Sequence, residues 1–415
     1  MKYPGPTGRV LTGLVAGAVL GLTLAQFSPD AARLAATIAR PIGKLWLAGL
    51  QMTVVPLVLA LVILGVASAS DAAASGRVAR RALLIFVLLL CGFSAYAAVA
   101  APLLLAFFPH SDALAKTLSS GGETMAGATP TLADWVSNVI PTNAIMAAAE
   151  GAMLPVVVFA LIFGFALTRI DAERRQQILG LCQGLADTMI VIVHGMLLIA
   201  PLGVFALVLV VCTEAGLSVI GALAGYIGLL VVLYLGATLA CYPLVWLGGR
   251  ESPMRFAKAI LPAQVVAAST QSSLATLPAM IESADQRLGY PRNVVSLVLP
   301  MAVTLFRITS PVQYIAAACF VAWALGIELS GLQLAAAAGL SVAISLGSIG
   351  LPGQVSFMAT VMPVTQSLGL PIAPLGLLLA VDTIPDVFAT TGNVTGDLAA
   401  TSLVARGERP EPPAA

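Results

Sequence analysis

"AASTQSSLATLP" (residues 267–278) sets Ser269, Thr270, Gln271, Ser272 and Ser273 side by side within an otherwise apolar region. The apolar stretches on either side are each too short to cross a bilayer alone, which takes about 20 residues. "SLGSIGLPGQVS" (345–356) repeats the design, with Gly347, Gly350 and Gly353 around Pro352. Two such interrupted half-spans are the sequence pattern of inverted repeats with re-entrant hairpins whose tips meet near the membrane midplane. Broken backbone persists there only where it lines a cavity or is buried in protein. At the start of a half-helix the free N–H groups and the dipole favour an anion such as a carboxylate, and Ser272 and Ser273 add hydroxyls. Surface loops are the plainer explanation of either segment alone, but they explain the matched pair poorly.

The rest of the chain fits a membrane setting. Its 415 residues are 59% hydrophobic and 9% charged, with a mean hydropathy of +0.99, against roughly 25% charged in soluble domains. Apolar runs at 8–27, 45–69, 82–108, 153–168, 187–212, 219–248, 293–326 and 371–384 predict spanning helices. The first follows Lys2 and Arg9 as a signal peptide would, but without a convincing cleavage site it reads as a retained helix. The formal charge of +1 points to no nucleic-acid partner. Clusters at Arg77, Arg80 and Arg81, at Arg169, Arg174 and Arg175, and at Arg250, Arg255 and Lys258 place those loops in the cytoplasm, because positive loops stay inside. Both termini are then expected in the cytoplasm, with the chain in a bacterial inner membrane. Arg33, Arg40 and Lys44 contradict that pattern. Five lone cysteines, His110 and His194 lack metal-ligand spacing, so neither a metal nor a cofactor is expected.

Near the C-terminus, Asp382, Asp386, Thr390, Asn393 and Asp397 fall at steps of four, four, three and four. That spacing predicts one helix face. An aspartate at mid-membrane costs about 2.5–3.5 kcal/mol, so the stripe should face water, a ligand or a partner. An intramembrane acid pair made of Asp382 and Asp386 is the enzyme alternative. It lacks any accompanying nucleophile and base.

These segments resemble the dicarboxylate/amino acid:cation symporters, which include the glutamate transporters. "QMTVVPLVLALVILGVAS" (51–68) resembles that family's second helix, and "VIPTNAIMAAAEGAMLPVVVFALIFGFAL" (139–167) the approach to and body of its fourth. "APLGVFAL" (200–207) is similar to the fifth, "QSSLATLP" (271–278) and "GLPG" (350–353) to its two hairpin tips, and "NVTGD" (393–397) to its last helix. The resemblance implies an all-α polytopic protein of eight transmembrane helices plus two re-entrant hairpins, an elevator-type transporter assembled as a homotrimer. Residues 1–75 and 139–216 would form a scaffold. Helix three and an outer loop at 76–138, with residues 217–405, would form the moving transport unit, and 406–415 a tail. By the same resemblance Asp386 would bind a substrate ammonium. Asn393 and the backbone and hydroxyls around Ser272 and Ser273 would bind its α-carboxylate, Thr390 would be a further substrate-binding residue, and Gly350, Pro352 and Gly353 would gate it.

The departures from the family narrow the expectation. Ala389 stands where acidic-substrate members carry an arginine for the side-chain carboxylate, and Gln271 replaces a first-hairpin arginine. An ammonium site without a carboxylate clamp suits a small neutral amino acid; a dicarboxylate or acidic substrate, or a degenerate sensor or leak, are the alternatives. Where the family has Asn-Met-Asp-Gly-Thr, this chain reads Phe306-Arg307-Ile308-Thr309-Ser310, and Phe86, Leu89 and Leu90 stand at further sodium-ligand positions. Sodium needs oxygen ligands. The expectation is therefore sodium-independent transport, coupled to protons or exchanging substrate, with Asp382 and Asp397 as coupling acids. Arg307 would act as a tethered cation paired to Asp397 or Asp386.

Overall fold

The computed structural model describes residues 6–74, 76–108, 139–347 and 353–406, and all regular structure among them is helical. The chain opens with α1 (Pro6–Phe27), α2 (Pro29–Gln51) and α3 (Val54–Ala74). Gly13, Gly17 and Gly21 face α8 (Ala200–Ala215) so closely that a Cβ on Gly13 would stand 2.3 Å from the Pro201 carbonyl oxygen. Glycines one turn apart let two backbones touch, which drives helix association in lipid, where apolar burial gives no advantage. The apolar run at 8–27 is thus a packed helix. On α2 the buried residues Ala32, Ala36, Ala39, Gly43, Trp46 and Leu50 recur at helical spacing, while Leu34, Ile38 and Leu45 are exposed. Arg40, which contradicts the charge pattern, pairs with Glu214 at the end of α8.

The chain continues through α4 (Arg77–Leu105), α5 (Ala144–Ala149), α6 (Met153–Leu167), α7 (Ala172–Leu198), α8 and α9 (Ser218–Leu244). A π-helical turn, Val245–Gly249, ends α9. There follow α10 (Pro253–Thr270), α11 (Ser273–Glu282), α12 (Arg292–Leu305), α13 (Thr309–Ala324), α14 (Gly331–Gly347), α15 (Gly353–Ser367), α16 (Leu375–Val381) and α17 (Asp386–Ala405).

Among the described residues six helices are long and apolar enough to cross a membrane, or seven if the bent pair α16–α17 counts as one span. Two of the expected runs are corrected. Residues 187–212 do not form one helix, because the chain breaks at Ile199 ahead of Pro201, giving α7 and α8. Residues 371–384 are not a straight span, because α16 and α17 meet at 78°.

Two sets of helices pack among themselves. In one, α1 and α2 lie on α8, and α3 lies on α6 and α7, where Arg175 bridges to Asp71 at 2.6 Å. In the other, α17 lies against α9, α10 and α12, and α13 against α4. The arms α14 and α15 touch both sets, since both contact α3 and α6 while α14 also contacts α4 and α15 contacts α13.

Candidate functional site

The polar interruption at 267–278 forms a helical hairpin. Its arms are α10 and α11, and Gln271 turns the chain in the left-handed region at φ 50°, which non-glycine residues seldom occupy. Ser272 then caps α11, its Oγ accepting from the Ala275 N–H at 3.2 Å. Ser273 is buried at the first position of that helix. At the tip, the Gln271 amide approaches the Thr383 carbonyl at 3.5 Å, so the tip touches the bend between α16 and α17. Gln264 of α10 donates to Thr395 Oγ1 at 2.9 Å and ties the arm to α17. The second interrupted segment separates the arms α14 and α15. Gly350 and Pro352 lie outside the described residues, and Gly353 begins α15.

A second break lies in the span 292–324. Phe306 leaves the helix in an extended conformation (φ −129°, ψ 112°), and α13 restarts at Thr309. This junction sits against α17 because Gly392 and Gly396 face it. A Cβ on Gly392 would lie 2.8 Å from Thr309 Cγ2, and one on Gly396 2.9 Å from Ile308 Cδ1. Asn393, between those glycines, accepts the Thr309 N–H on Oδ1 at 3.0 Å, and Thr309 Oγ1 donates to the Ala389 carbonyl at 3.2 Å. A helix start leaves its first N–H groups without intrahelical partners, and Asn393 supplies one of those partners from another helix. The bond also orients the amide: with Oδ1 turned to the Thr309 N–H, the Nδ2 hydrogens face away and can meet an acceptor on a ligand.

The acidic stripe is divided by this fold. Asp382 ends α16 and Asp386 begins α17, across the bend that Pro385 introduces, so the two do not share a helix face; Asp386, Thr390, Asn393 and Asp397 do lie on one helix. Asp386 is half-buried, whereas Thr390, Asn393 and Ala389 are buried. Asp382 is buried and accepts from Gln313 Nε2 at 2.6 Å. Asp397 is 1% exposed, and neither of its carboxylate oxygens has a hydrogen-bond partner.

The expected guanidinium–carboxylate pair is not formed. Arg307 sits half-buried in the break between α12 and α13, its Nε without a partner, and makes no ion pair with Asp386 or Asp397. Its charge is nonetheless felt at both carboxylates.

Phe86 of α4 and Phe306 stack at 4.6 Å with an interplanar angle of 13°, both fully buried. The pair fills the space between α4 and the break after α12 with carbon alone.

Four residues at the locus escaped the sequence reading. The Gly392–Gly396 spacing was visible as a small-residue repeat. Thr309 and Gln313 carried no local signal, since their partners are 84 and 69 positions away.

A helical membrane protein whose spans break mid-course, and whose half-helix ends and buried carboxylates converge on one locus, is built as a secondary transporter. The chain belongs to the sodium:dicarboxylate symporter family, which it matches over residues 7–407. It is similar to the proton/glutamate-aspartate symporter of Escherichia coli, at 28% identity over 96% of this chain and 92% of that protein. The C4-dicarboxylate transport protein of Laribacter hongkongensis is 26% identical over 96% of this chain and 89% of its own length. Human neutral amino acid transporter A is 27% identical over 93% of this chain and 79% of its own length. The protein is accordingly an integral membrane protein and a cation-coupled carrier of dicarboxylates or amino acids, and these relatives are carriers rather than enzymes.

Proposed function

We propose that this carrier moves a small neutral amino acid across the bacterial inner membrane without sodium. The observation that carries the substrate reading is the first turn of α17: half-buried Asp386 offers a carboxylate, and Ala389 offers no cation. A zwitterion fits that frame. Its ammonium meets Asp386, and its α-carboxylate meets the free Nδ2 of Asn393 and the N-terminus of α11 at Ser272 and Ser273, where helix dipole and hydroxyl donors favour an anion. A second carboxylate on the substrate would be desolvated without a partner, at a cost of several kcal/mol.

Absence of sodium coupling is supported by the Phe86–Phe306 stack, which occupies two ligand positions with carbon, and by Ile308 at a third. Arg307 then supplies a fixed positive charge near Asp386 and Asp397, and coupling falls to protons or to exchange. Movement would follow the family's elevator, with α4 and α9–α17 sliding along α1–α3 and α6–α8 within a homotrimer. The packing of α1 and α2 on α8, and of α17 on α9, α10 and α12, favours it.

A second reading rests on the unpartnered Nε of Arg307: the guanidinium is a relocated clamp and the substrate is acidic. Counterflow in proteoliposomes separates the two. Liposomes loaded with unlabelled alanine or serine should take up labelled alanine, and loading with aspartate or glutamate should not support it. Stronger uptake of labelled aspartate than of labelled alanine would overturn the neutral-substrate reading in favour of the clamp.

A further inference from the structure

Three buried or half-buried acids gather at this locus, and they are not equivalent. Asp386 is only half-buried, and both it and Asp397 lie within the field of Arg307. Asp382 has neither advantage. It is 4% exposed, at the bend between α16 and α17, and among the described residues no cation acts on it. Its neighbours can be named element by element. From α13, Gln313 donates to Oδ1 at 2.6 Å. From α9, Tyr226 and Tyr234 are electrostatically coupled to it. From α17 comes the like charge of Asp386, while α1, α8 and α15, which also touch α16, bring no charge that acts on it.

A carboxylate removed from water is tolerated only when a cation, a set of donors or a proton compensates it. Asp382 has one neutral donor on one oxygen. Among the described residues no hydrogen bond reaches Oδ2, which, unlike the oxygens of Asp397, is not sealed from water. The hydroxyls of Tyr226 and of Tyr314, a neighbour of Gln313 on α13, are buried without a hydrogen-bond partner. They are groups able both to give and to accept a hydrogen bond.

Building on the sodium-independent reading above, we propose that Asp382 is the site of the proton carried with the substrate and that Gln313 is its positioning residue. The step is a simple protonation. One proton from the aqueous side forms an O–H bond at Oδ2, Oδ1 keeps its bond from Gln313 throughout, and the proton returns to water on the opposite side. Gln313 serves both states because an amide N–H can donate to a carboxylate or to a protonated carboxyl. The first hairpin tip, which touches Thr383, lies next to the acid, so occupancy of the substrate site and of the proton site would be sensed by one bend.

The test uses the full-length protein in proteoliposomes with a trapped pH indicator and labelled L-alanine as the probe. Wild type should acidify the lumen on alanine addition and accumulate alanine under an inward proton gradient. Asp382→Asn keeps an acceptor for Gln313 but cannot titrate. In that variant alanine exchange should persist, while gradient-driven accumulation should fall at least about tenfold and lumenal acidification should vanish. Should Asp382→Asn fail to fold, Gln313→Leu decides: the carboxyl remains but loses its fixed donor, and the pH of half-maximal gradient-driven uptake should shift while exchange continues. Asp382→Asn that still acidifies the lumen like wild type, or a pH profile unmoved in Gln313→Leu, overturns the assignment of Asp382 alone. Wild type that requires sodium and moves no proton overturns the reading beneath it.

Discussion

Replacing Asn393 by Ala separates the two tasks its amide performs. Oδ1 holds the Thr309 N–H at 3.0 Å inside the protein, and deleting it leaves a buried donor unsatisfied at about 1–3 kcal/mol. Nδ2 is the half left for the substrate. A hydrogen bond to a charged group contributes about 1.5–3 kcal/mol, which corresponds to a roughly 10- to 140-fold weaker Kd. Thr309→Ala supplies the contrast. It breaks only the bond from Oγ1 to the Ala389 carbonyl at 3.2 Å, a loss of about 0.5–1.5 kcal/mol, and keeps the N–H on Asn393. Thermal unfolding of the detergent-solubilised protein, with and without titrated alanine, reads both effects. Both variants should have a lower Tm, and only Asn393→Ala should also bind alanine at least tenfold more weakly. Wild-type affinity in Asn393→Ala would show that Nδ2 does not meet the substrate.

Three further outcomes follow from the same geometry. Asp386→Asn should weaken alanine binding by roughly 10- to 140-fold through loss of a charge-assisted bond to the ammonium, with little change in Tm; isothermal titration checks this. Gly396→Ala should destabilise by about 1–3 kcal/mol through overpacking, because its Cβ would lie 2.9 Å from Ile308 Cδ1. Adding Ile308→Ala, which removes all three atoms within 3.1 Å of that Cβ, should restore part of the Tm. Phe86→Ala and Phe306→Ala should be non-additive in unfolding measurements, with a coupling of about 0.5–1.5 kcal/mol from the stacked pair.

Much of the fold could be read from residue order because lipid imposes simple demands. Apolar runs of sufficient length had to be helices, and the serine-rich interruption at 267–278 had to be a turn between two half-spans; it folds as α10–Gln271–α11, with Ser269, Thr270 and Gln271 exposed. Errors arose where a proline redirected a helix. Pro385 lies in the middle of the acidic stripe and bends it, so the regular spacing from Asp382 to Asp386 did not place the two carboxylates on one face. Pro201 similarly divides the run at 187–212. The signal was present in both cases and was outweighed by periodicity. Other features had no local signature. Phe86 and Phe306 stack across 220 positions of sequence, each looking like an ordinary core residue until the other is placed. Arg307 lies where the helix breaks at Phe306, so the expected ion pair could be anticipated from charge but not judged from it.

Sodium dependence is the property on which the distinctive chemistry of this site turns. Uptake of labelled alanine into proteoliposomes should be measured with sodium or with choline as the only external cation, at equal ionic strength, with and without an inward proton gradient. With carbon at Phe86, Phe306 and Ile308 and a fixed charge at Arg307, the rates in sodium and choline should agree within about twofold, since those side chains leave no oxygen for the ion. A steep rise of uptake with sodium concentration, and none in choline, would contradict it.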